Sequence, residues 1–130
     1  MTTASPVAVL ADDLIWGTRL ARAVEADGGL VWPVRTMDGL RAALADGCRL
    51  VVVDLTARAY DGVTAIRLAA DSAASVLAVA QHDDVALRKR ALAAGARRVL
   101  AYRKLADDGP AAIAGWLAMP AAATRTAATR

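Results

Sequence analysis

The sequence predicts a single α/β domain in which helices cover both faces of a five-stranded parallel sheet. The chain has 130 residues, a length typical of one domain that buries roughly two-thirds of its unfolded surface without disulfides or metals. Short apolar runs alternate along the chain with segments of helical periodicity. The strongest runs are continuously apolar, which is typical of parallel strands buried on both faces.

Five segments are predicted as strands from their apolar and β-branched side chains. The first, third and fourth have the strongest pattern, and the second and fifth are weaker. Pro33 lies within the second segment and cannot donate a hydrogen bond to a neighbouring strand, so we place that strand at an edge of the sheet. The predicted strands are residues 7–11, 30–34, 50–53, 76–80 and 98–102.

Helices are predicted after each strand from apolar side chains at helical spacing and from residues that cap helix ends. Thr36 and Asp84 are predicted N-caps of the second and fourth helices, because their side-chain oxygens can accept a bond from the first turn. Gly47 and Gly95 are expected to end the same helices. Pro110 is expected in the first turn of the fifth helix. The predicted helices are residues 14–26, 37–46, 63–70, 85–94 and a stretch that begins at 108.

Composition excludes several kinds of site and sets the expected compartment. Cys48 is the only cysteine and His82 the only histidine, so neither an intrachain disulfide nor a zinc site is expected. The amino terminus lacks a signal-peptide pattern, and no apolar run approaches the ~20 residues of a membrane helix. We therefore expect a cytoplasmic protein without a membrane partner, with a domain over residues 1–119 and a loose tail over residues 120–130.

Charge is unevenly distributed along the chain. Residues 1–84 contain 11 acids and 7 bases, whereas residues 85–130 contain 2 acids and 9 bases. The first part suggests a cation site and the second a surface for an acidic protein partner, although an ordinary solvated surface explains the bases equally well. Binding of nucleic acid is a weaker alternative, because no base-reading motif is recognisable. The basic stretch comprises Arg88, Lys89, Arg90, Arg97, Arg98, Arg103 and Lys104.

Carboxylates follow two of the three strong strands. Asp12 and Asp13 come after the first strand, and Asp54 comes after the third. Functional groups of an open α/β sheet gather outside the carboxyl ends of its strands, and in a flavodoxin-like order these two strands are neighbours. Clustered carboxylates raise one another's pKa values unless a cation lies between them, and Mg²⁺ prefers such oxygen ligands. The sequence therefore predicts a magnesium site at this edge.

The order and spacing of these segments resemble response-regulator receiver domains, the CheY-like family. Asp54-Leu55 is followed seven residues after Asp54 by Asp61-Gly62, as in the receiver motif of an aspartate, a loop and an Asp-Gly pair. Residues 10–15, 79–84 and 95–100 resemble the segments around the first, fourth and fifth strands. The likeness covers about residues 5–118 and implies a flavodoxin-like (βα)5 sandwich with strand order 2-1-3-4-5.

The resemblance implies a role in phosphorelay signal transduction within a two-component system. Asp54 would be the phosphoacceptor that attacks the phosphohistidine of a sensor kinase. Asp12 or Asp13, Asp54 and the backbone carbonyl of Thr56 would hold Mg²⁺, which would spread charge off the transition state. The acidic pair of the family corresponds either to Ala11 and Asp12 or to Asp12 and Asp13.

Several positions depart from the family's pattern, among them Arg58 in place of the loop proline, and three departures fall on the groups that sense a phosphoryl. Ala80 replaces the threonine or serine that bonds the phosphoryl oxygen, Val99 replaces the aromatic switch residue, and Tyr102 replaces the lysine that pairs with the phosphoryl charge. Arg103 or Lys104 could supply the missing cation only by reaching back. We therefore predict an atypical receiver, a pseudo-receiver that acts by protein–protein interaction with weak or no phosphorylation.

Several alternatives stay open beside this prediction. The chain could be a functional phosphoacceptor that uses Asp54 and Mg²⁺, or a nucleic-acid-binding module that uses its basic stretch. The expected partner is a sensor kinase or a downstream signalling protein, and a homodimer is a further possibility. Enzymatic interpretations are disfavoured. A haloacid dehalogenase needs a second aspartate at the place of Thr56, and no glycine-rich phosphate loop follows the first strand.

Overall fold

The sheet of the protein has five parallel strands in the order β2-β1-β3-β4-β5, as predicted. The computed structural model describes residues 6–81 and 83–119, so the predicted tail lies outside the described residues. Pro33 lies in the edge strand β2, where its missing N–H is tolerated. The strands are β1 Pro6–Leu10, β2 Leu30–Val34, β3 Leu50–Asp54, β4 Ser75–Ala80 and β5 Arg98–Ala101.

Helices lie on both faces of the sheet and complete a three-layer sandwich. The helices are α1 Leu14–Ala26, α2 Met37–Ala45, α3 Gly62–Asp71, α4 Val85–Ala94 and α5 Tyr102–Leu117. Helices α1 and α5 pack on one face, and α2, α3 and α4 pack on the other. None of the helices in the described part of the chain is long and apolar enough to cross a bilayer.

Two hydrophobic cores explain why the strands are continuously apolar. Val52 of β3 faces α1 and α5, whereas its neighbours Val51 and Val53 face the other three helices. All three side chains are fully buried. Because successive residues of a strand point to opposite faces, a strand covered on both sides needs apolar residues at every position.

The predicted helix caps are confirmed. Thr36 accepts a bond from the backbone N–H of Gly39 at 3.0 Å, and Asp84 accepts one from Leu87 at 3.1 Å. Gly95 ends α4 with a φ of 121°, a conformation that favours glycine. Helix α2 ends one residue earlier than predicted, at Ala45. These signals are local, and apart from the start of the fifth helix the other predicted strand and helix boundaries agree to within about a residue.

The start of the fifth helix was predicted wrongly. Strand β5 ends at Ala101, and Tyr102 begins α5 instead of closing the strand. Asp108 has non-helical angles, φ −154° and ψ 41°, and Pro110 lies in the first turn after this break. The Asp-Gly-Pro signal therefore marks the second half of the helix. Tyr102 forms the first half together with Leu105 because both side chains turn toward the core.

The first prediction concerns Gly62 at the start of α3. A Cβ atom there would lie 2.6 Å from Leu55 Cδ2 and 3.2 Å from Leu55 Cα, so the helix start and the preceding loop must shift. We expect Gly62→Ala to lower the free energy of unfolding by about 1–3 kcal/mol in urea denaturation. Gly17→Ala is the matched control in α1, because its Cβ would meet Ala11 at an ordinary 3.7 Å. Equal stability of both variants would contradict this account.

Candidate functional site

Asp54 is the last residue of β3 and is fully buried at the carboxyl end of the sheet. Its Oδ1 accepts hydrogen bonds from the backbone N–H of Thr56 at 3.0 Å, from the Thr56 hydroxyl at 2.9 Å and from the Tyr102 hydroxyl. Its Oδ2 is buried and has no hydrogen-bond partner among the described residues. One oxygen of the carboxylate is thus fully occupied, and the other is left without a donor.

Tyr102 occupies the place where the resemblance implies a lysine. Its buried ring contacts the ring of Trp16, with the centroids 4.1 Å apart and the planes inclined by 44°. Its hydroxyl lies 2.6 Å from the Thr56 hydroxyl. Asp54, Thr56 and Tyr102 therefore form a closed group around Asp54 Oδ1, in which a neutral hydroxyl takes the place of the family's lysine.

The buried position of Asp54 changes its acidity. Removal of the carboxylate from water raises its pKa above the ordinary value, and the nearby charges of Asp12 and Asp13 raise it further. The hydrogen bonds from Thr56 act in the opposite direction but do not reverse the change. Within the described residues, neither of the two ion pairs includes Asp54. This carboxyl group is therefore easier to protonate than a solvated aspartate.

Asp12 and Asp13 have different roles. The Oδ2 of Asp12 accepts bonds from the backbone N–H groups of Ala59 at 2.9 Å and Arg58 at 2.8 Å, and these bonds lower the pKa of Asp12. Asp13 instead caps α1 by accepting a bond from the N–H of Trp16 at 3.0 Å. Asp12 is therefore the member of the acidic pair that reaches the loop after β3.

The described residues do not form a ready-made cluster of metal ligands. In residues 6–81 and 83–119, no three histidine, cysteine, aspartate or glutamate side chains are placed to hold a metal together. Asp12 and Asp13 each direct an oxygen to backbone N–H groups, and Asp54 directs its Oδ1 to N–H and hydroxyl donors. Mg²⁺ requires ligand oxygens arranged in a near-octahedral shell. The predicted ligands lie at one edge of the sheet, and donors contact one oxygen of each carboxylate, whereas Asp54 Oδ2 has no partner among the described residues.

Tyr60 was missed by the sequence reasoning. Its ring is buried in the loop before α3, and its hydroxyl contacts the backbone carbonyls of Leu10 at 2.9 Å and Asp54 at 2.8 Å. Burial, followed by the charges of Asp54 and Asp12, raises the pKa of Tyr60, so the hydroxyl stays neutral. Tyr60 joins the ends of β1 and β3. The signal that could have identified it is the one aromatic side chain in the loop between β3 and α3.

The Asp61-Gly62 pair has a structural explanation. Asp61 caps α3 by accepting bonds from the backbone N–H of Thr64 at 3.3 Å and from the Thr64 hydroxyl. The bonds from Thr64, led by the one from the hydroxyl, lower the pKa of Asp61. Gly62 allows the start of α3 to pack against Leu55. The pair that contributed most to the resemblance therefore shapes the loop and does not contact the buried carboxylate.

The other two departures at phosphoryl-sensing positions are buried. Ala80 ends β4 with no exposed surface, and Val99 in β5 is 6% exposed. Both belong to the core beneath α2, α3 and α4, whereas Tyr102 belongs to the core beneath α1 and α5. Neither Ala80 nor Val99 carries a hydrogen-bonding group that could bind a phosphoryl oxygen.

The basic stretch is partly committed to structural contacts. Arg88 is half-buried and donates to the carbonyl of Val99 at 3.1 Å, and Lys104 pairs with Asp108 at 3.6 Å. The guanidinium of Arg98 lies beside Gly115 of α5, where a Cβ atom on the glycine would be 3.5 Å from one of its nitrogens. Arg97 is half-buried. Arg98 and Lys104 are also exposed, and the exposed members that make none of these contacts are Lys89, Arg90 and Arg103.

Solved structures of response regulators share this fold. One from Burkholderia pseudomallei, which contains a phosphorylated aspartic acid, a calcium ion and citrate, has a TM-score of 0.74 and 23% identity over 96% of this chain and 72% of its own. A receiver-domain protein from Clostridium thermocellum has a TM-score of 0.72 and 21% identity over 86% and 93%. A two-component response regulator from Clostridium difficile has a TM-score of 0.75 and 12% identity over 87% and 95%.

The comparisons define the class of fold. The chain has the flavodoxin-like, CheY-like fold of response-regulator receiver domains, as its sequence predicted. No family model matches the sequence, and no curated protein matches it by sequence similarity.

The second prediction concerns the pH dependence of stability. Because the pKa of Asp54 is raised by folding, its carboxyl stabilises the fold at low pH, and that contribution is lost as pH rises from about 4 through the folded pKa. We therefore compare the melting temperature of Asp54→Asn with that of the wild type at each pH. The difference, variant minus wild type, should be more positive at neutral pH than at about pH 4. Any effect of the asparagine side chain on stability that does not depend on pH cancels when the differences at the two pH values are compared.

Asp12→Asn is the control for this prediction and has the opposite sign. The pKa of Asp12 is lowered by folding, so its contribution is present above the unfolded value and is lost as pH falls. The variant should therefore destabilise the protein at neutral pH and do so less in acid. The same pH dependence in both variants, measured by thermal melts across this range, would contradict the assignment of Asp54 as a buried carboxyl with a raised pKa.

Proposed function

We propose that this protein is an atypical signalling domain that acts by binding a protein partner and does not depend on phosphorylation of Asp54. The observation that supports this most directly is the closed group of Asp54, Thr56 and Tyr102. Phosphoryl transfer requires an acceptor oxygen that can approach the phosphorus in line. Here Oδ1 is covered by three donors, and the whole residue is buried.

Electrostatics support the same proposal. A phosphoryl group would add negative charge beside a carboxyl group whose pKa is already raised by burial and by Asp12 and Asp13. Receiver domains, by the resemblance, offset that charge with a metal ion and a lysine. Tyr102 provides only a neutral hydroxyl in the lysine's place. Loss of one oriented charge-stabilising group typically lowers a rate by about 10²–10³-fold.

The groups that would respond to a phosphoryl are also replaced. Ala80 has no hydroxyl that could bond to a phosphoryl oxygen, and Val99 has no aromatic ring that could act as the family's switch residue. Both side chains pack in the core. A response based on these two positions would therefore require side chains that this chain lacks.

The proposed partner is a sensor kinase or a downstream signalling protein with an acidic surface. The exposed cations of α4 and the start of α5 provide the complementary charge. Arg88 is excluded from this surface because its guanidinium is used inside the fold. The surface is formed by Lys89, Arg90 and Arg103.

A second candidate is a phosphoacceptor that uses Asp54 and Mg²⁺. The observation in its favour is the buried Oδ2 of Asp54, which lacks a donor in the described part of the chain. Buried polar atoms without partners are uncommon, and one explanation is a ligand that binds there. This function would require the Tyr102 hydroxyl to leave Oδ1.

The third prediction separates the two candidates by intact mass after incubation with a small phosphodonor and Mg²⁺. We expect the wild-type chain to remain unmodified. We expect the double variant Tyr102→Lys/Ala80→Thr, which restores the cation and the hydroxyl, to gain the mass of one HPO₃ group. Addition of Asp54→Asn to that variant should abolish the gain. A wild-type adduct that Asp54→Asn removes would instead establish the second candidate.

The fourth prediction concerns Mg²⁺ and uses thermal melts of the wild-type chain. We expect millimolar MgCl₂ to leave the melting temperature unchanged relative to NaCl at equal ionic strength, because donors already hold one oxygen of each of the three carboxylates and would have to be displaced or rearranged. An increase specific to Mg²⁺ that disappears in Asp12→Ala or Asp13→Ala would support a metal site and the second candidate.

A further inference from the structure

A groove between α1 and α5 lies apart from the exposed cations of α4. Its volume is about 360 Å³, which is within the range of natural ligand pockets. The break at Asp108 contributes to the groove, because Leu105 and Ala106 line it from before the break and Pro110 lines it from after. The residues from α1 are Trp16, Arg19, Leu20, Arg22 and Ala23.

The groove combines apolar walls with positive charge. Arg19 and Arg22 are both exposed, and neither takes part in an ion pair within residues 6–81 and 83–119. None of the residues that line the groove is acidic. An occupant with negative charge and an apolar side chain would therefore complement both parts of the surface.

One wall of the groove is fixed before any partner binds. The Trp16 ring is held by its contact with Tyr102, and the guanidinium carbon of Arg19 lies 5.1 Å from the centroid of the Trp16 ring. An aromatic ring that is already ordered loses little conformational freedom on binding. Tryptophan and arginine are also the side chains that contribute most often to the energetic centre of protein interfaces.

We propose that this groove binds an acidic segment of a partner protein, which inserts one apolar side chain beside Trp16. The two guanidiniums contact the carboxylates of the segment, and Leu105 and Pro110 contact its apolar side chain. This surface does not use Lys89, Arg90 or Arg103. The proposal can therefore fail or succeed independently of the partner surface formed by those three residues.

The test uses short capped peptides of glutamate with a single leucine, phenylalanine or tryptophan. Matched peptides with lysine in place of glutamate are the first control. Binding is followed by amide chemical-shift mapping and by titration calorimetry on the full chain. We expect the glutamate peptides to shift resonances of α1 and α5 around the groove and the lysine peptides to cause no such shifts.

Charge-reversal variants locate the binding surface. Arg19→Glu/Arg22→Glu should weaken binding of the glutamate peptides roughly tenfold or more. Lys89→Glu/Arg90→Glu makes the same change of net charge on α4 and should leave the affinity within about twofold. Arg19→Gln/Arg22→Gln provides a milder pair if the reversed variant is unstable.

Three results with the peptides would each overturn the proposal. These are the absence of binding by every glutamate peptide, equal weakening by both charge-reversal pairs, and shifts confined to surfaces other than α1 and α5. Tighter binding of a short oligonucleotide by the same arginines would also overturn it, because that would assign the groove to nucleic acid.

Discussion

Burial of the Asp54 carboxylate at the end of β3 is the constraint on which the arrangement of this edge depends. An ionised carboxylate loses its hydration when it is buried, so its oxygens need donors from the protein. Thr56 and Tyr102 provide those donors to one oxygen. Helix α5 begins directly after β5, which places the Tyr102 hydroxyl beside Asp54. The ring of Trp16 packs against the ring of Tyr102.

Most of the fold could be predicted because its signals are local. Pro33 identified an edge strand, Thr36 and Asp84 identified helix starts, and continuous apolar runs identified strands buried on both faces. The start of α5 could not be predicted in this way. Whether Tyr102 ends a strand or begins a helix depends on its contacts with Asp54 and Trp16, which are distant in sequence.

The candidate site was predictable in position but not in detail. Strand order places Asp12, Asp13 and Asp54 at the same edge, and this followed from the alternation of strands and helices. What each carboxylate does depends on the nearest N–H and hydroxyl donors, which spacing cannot locate. Asp13 and Asp61 both proved to be helix caps, a common role for an aspartate before a helix.

The departures at Ala80 and Tyr102 act in the same electrostatic direction. A lysine near Asp54 would favour the ionised carboxylate and any further negative charge placed beside it. The Tyr102 hydroxyl donates a hydrogen bond without adding a charge, and Ala80 adds no polar group. The pKa of Asp54 is raised by burial, and neither position supplies a charge that would offset this. In the proposed function, selectivity for partners therefore rests on exposed cations instead. These are Lys89, Arg90 and Arg103 on one surface and Arg19 and Arg22 on the other.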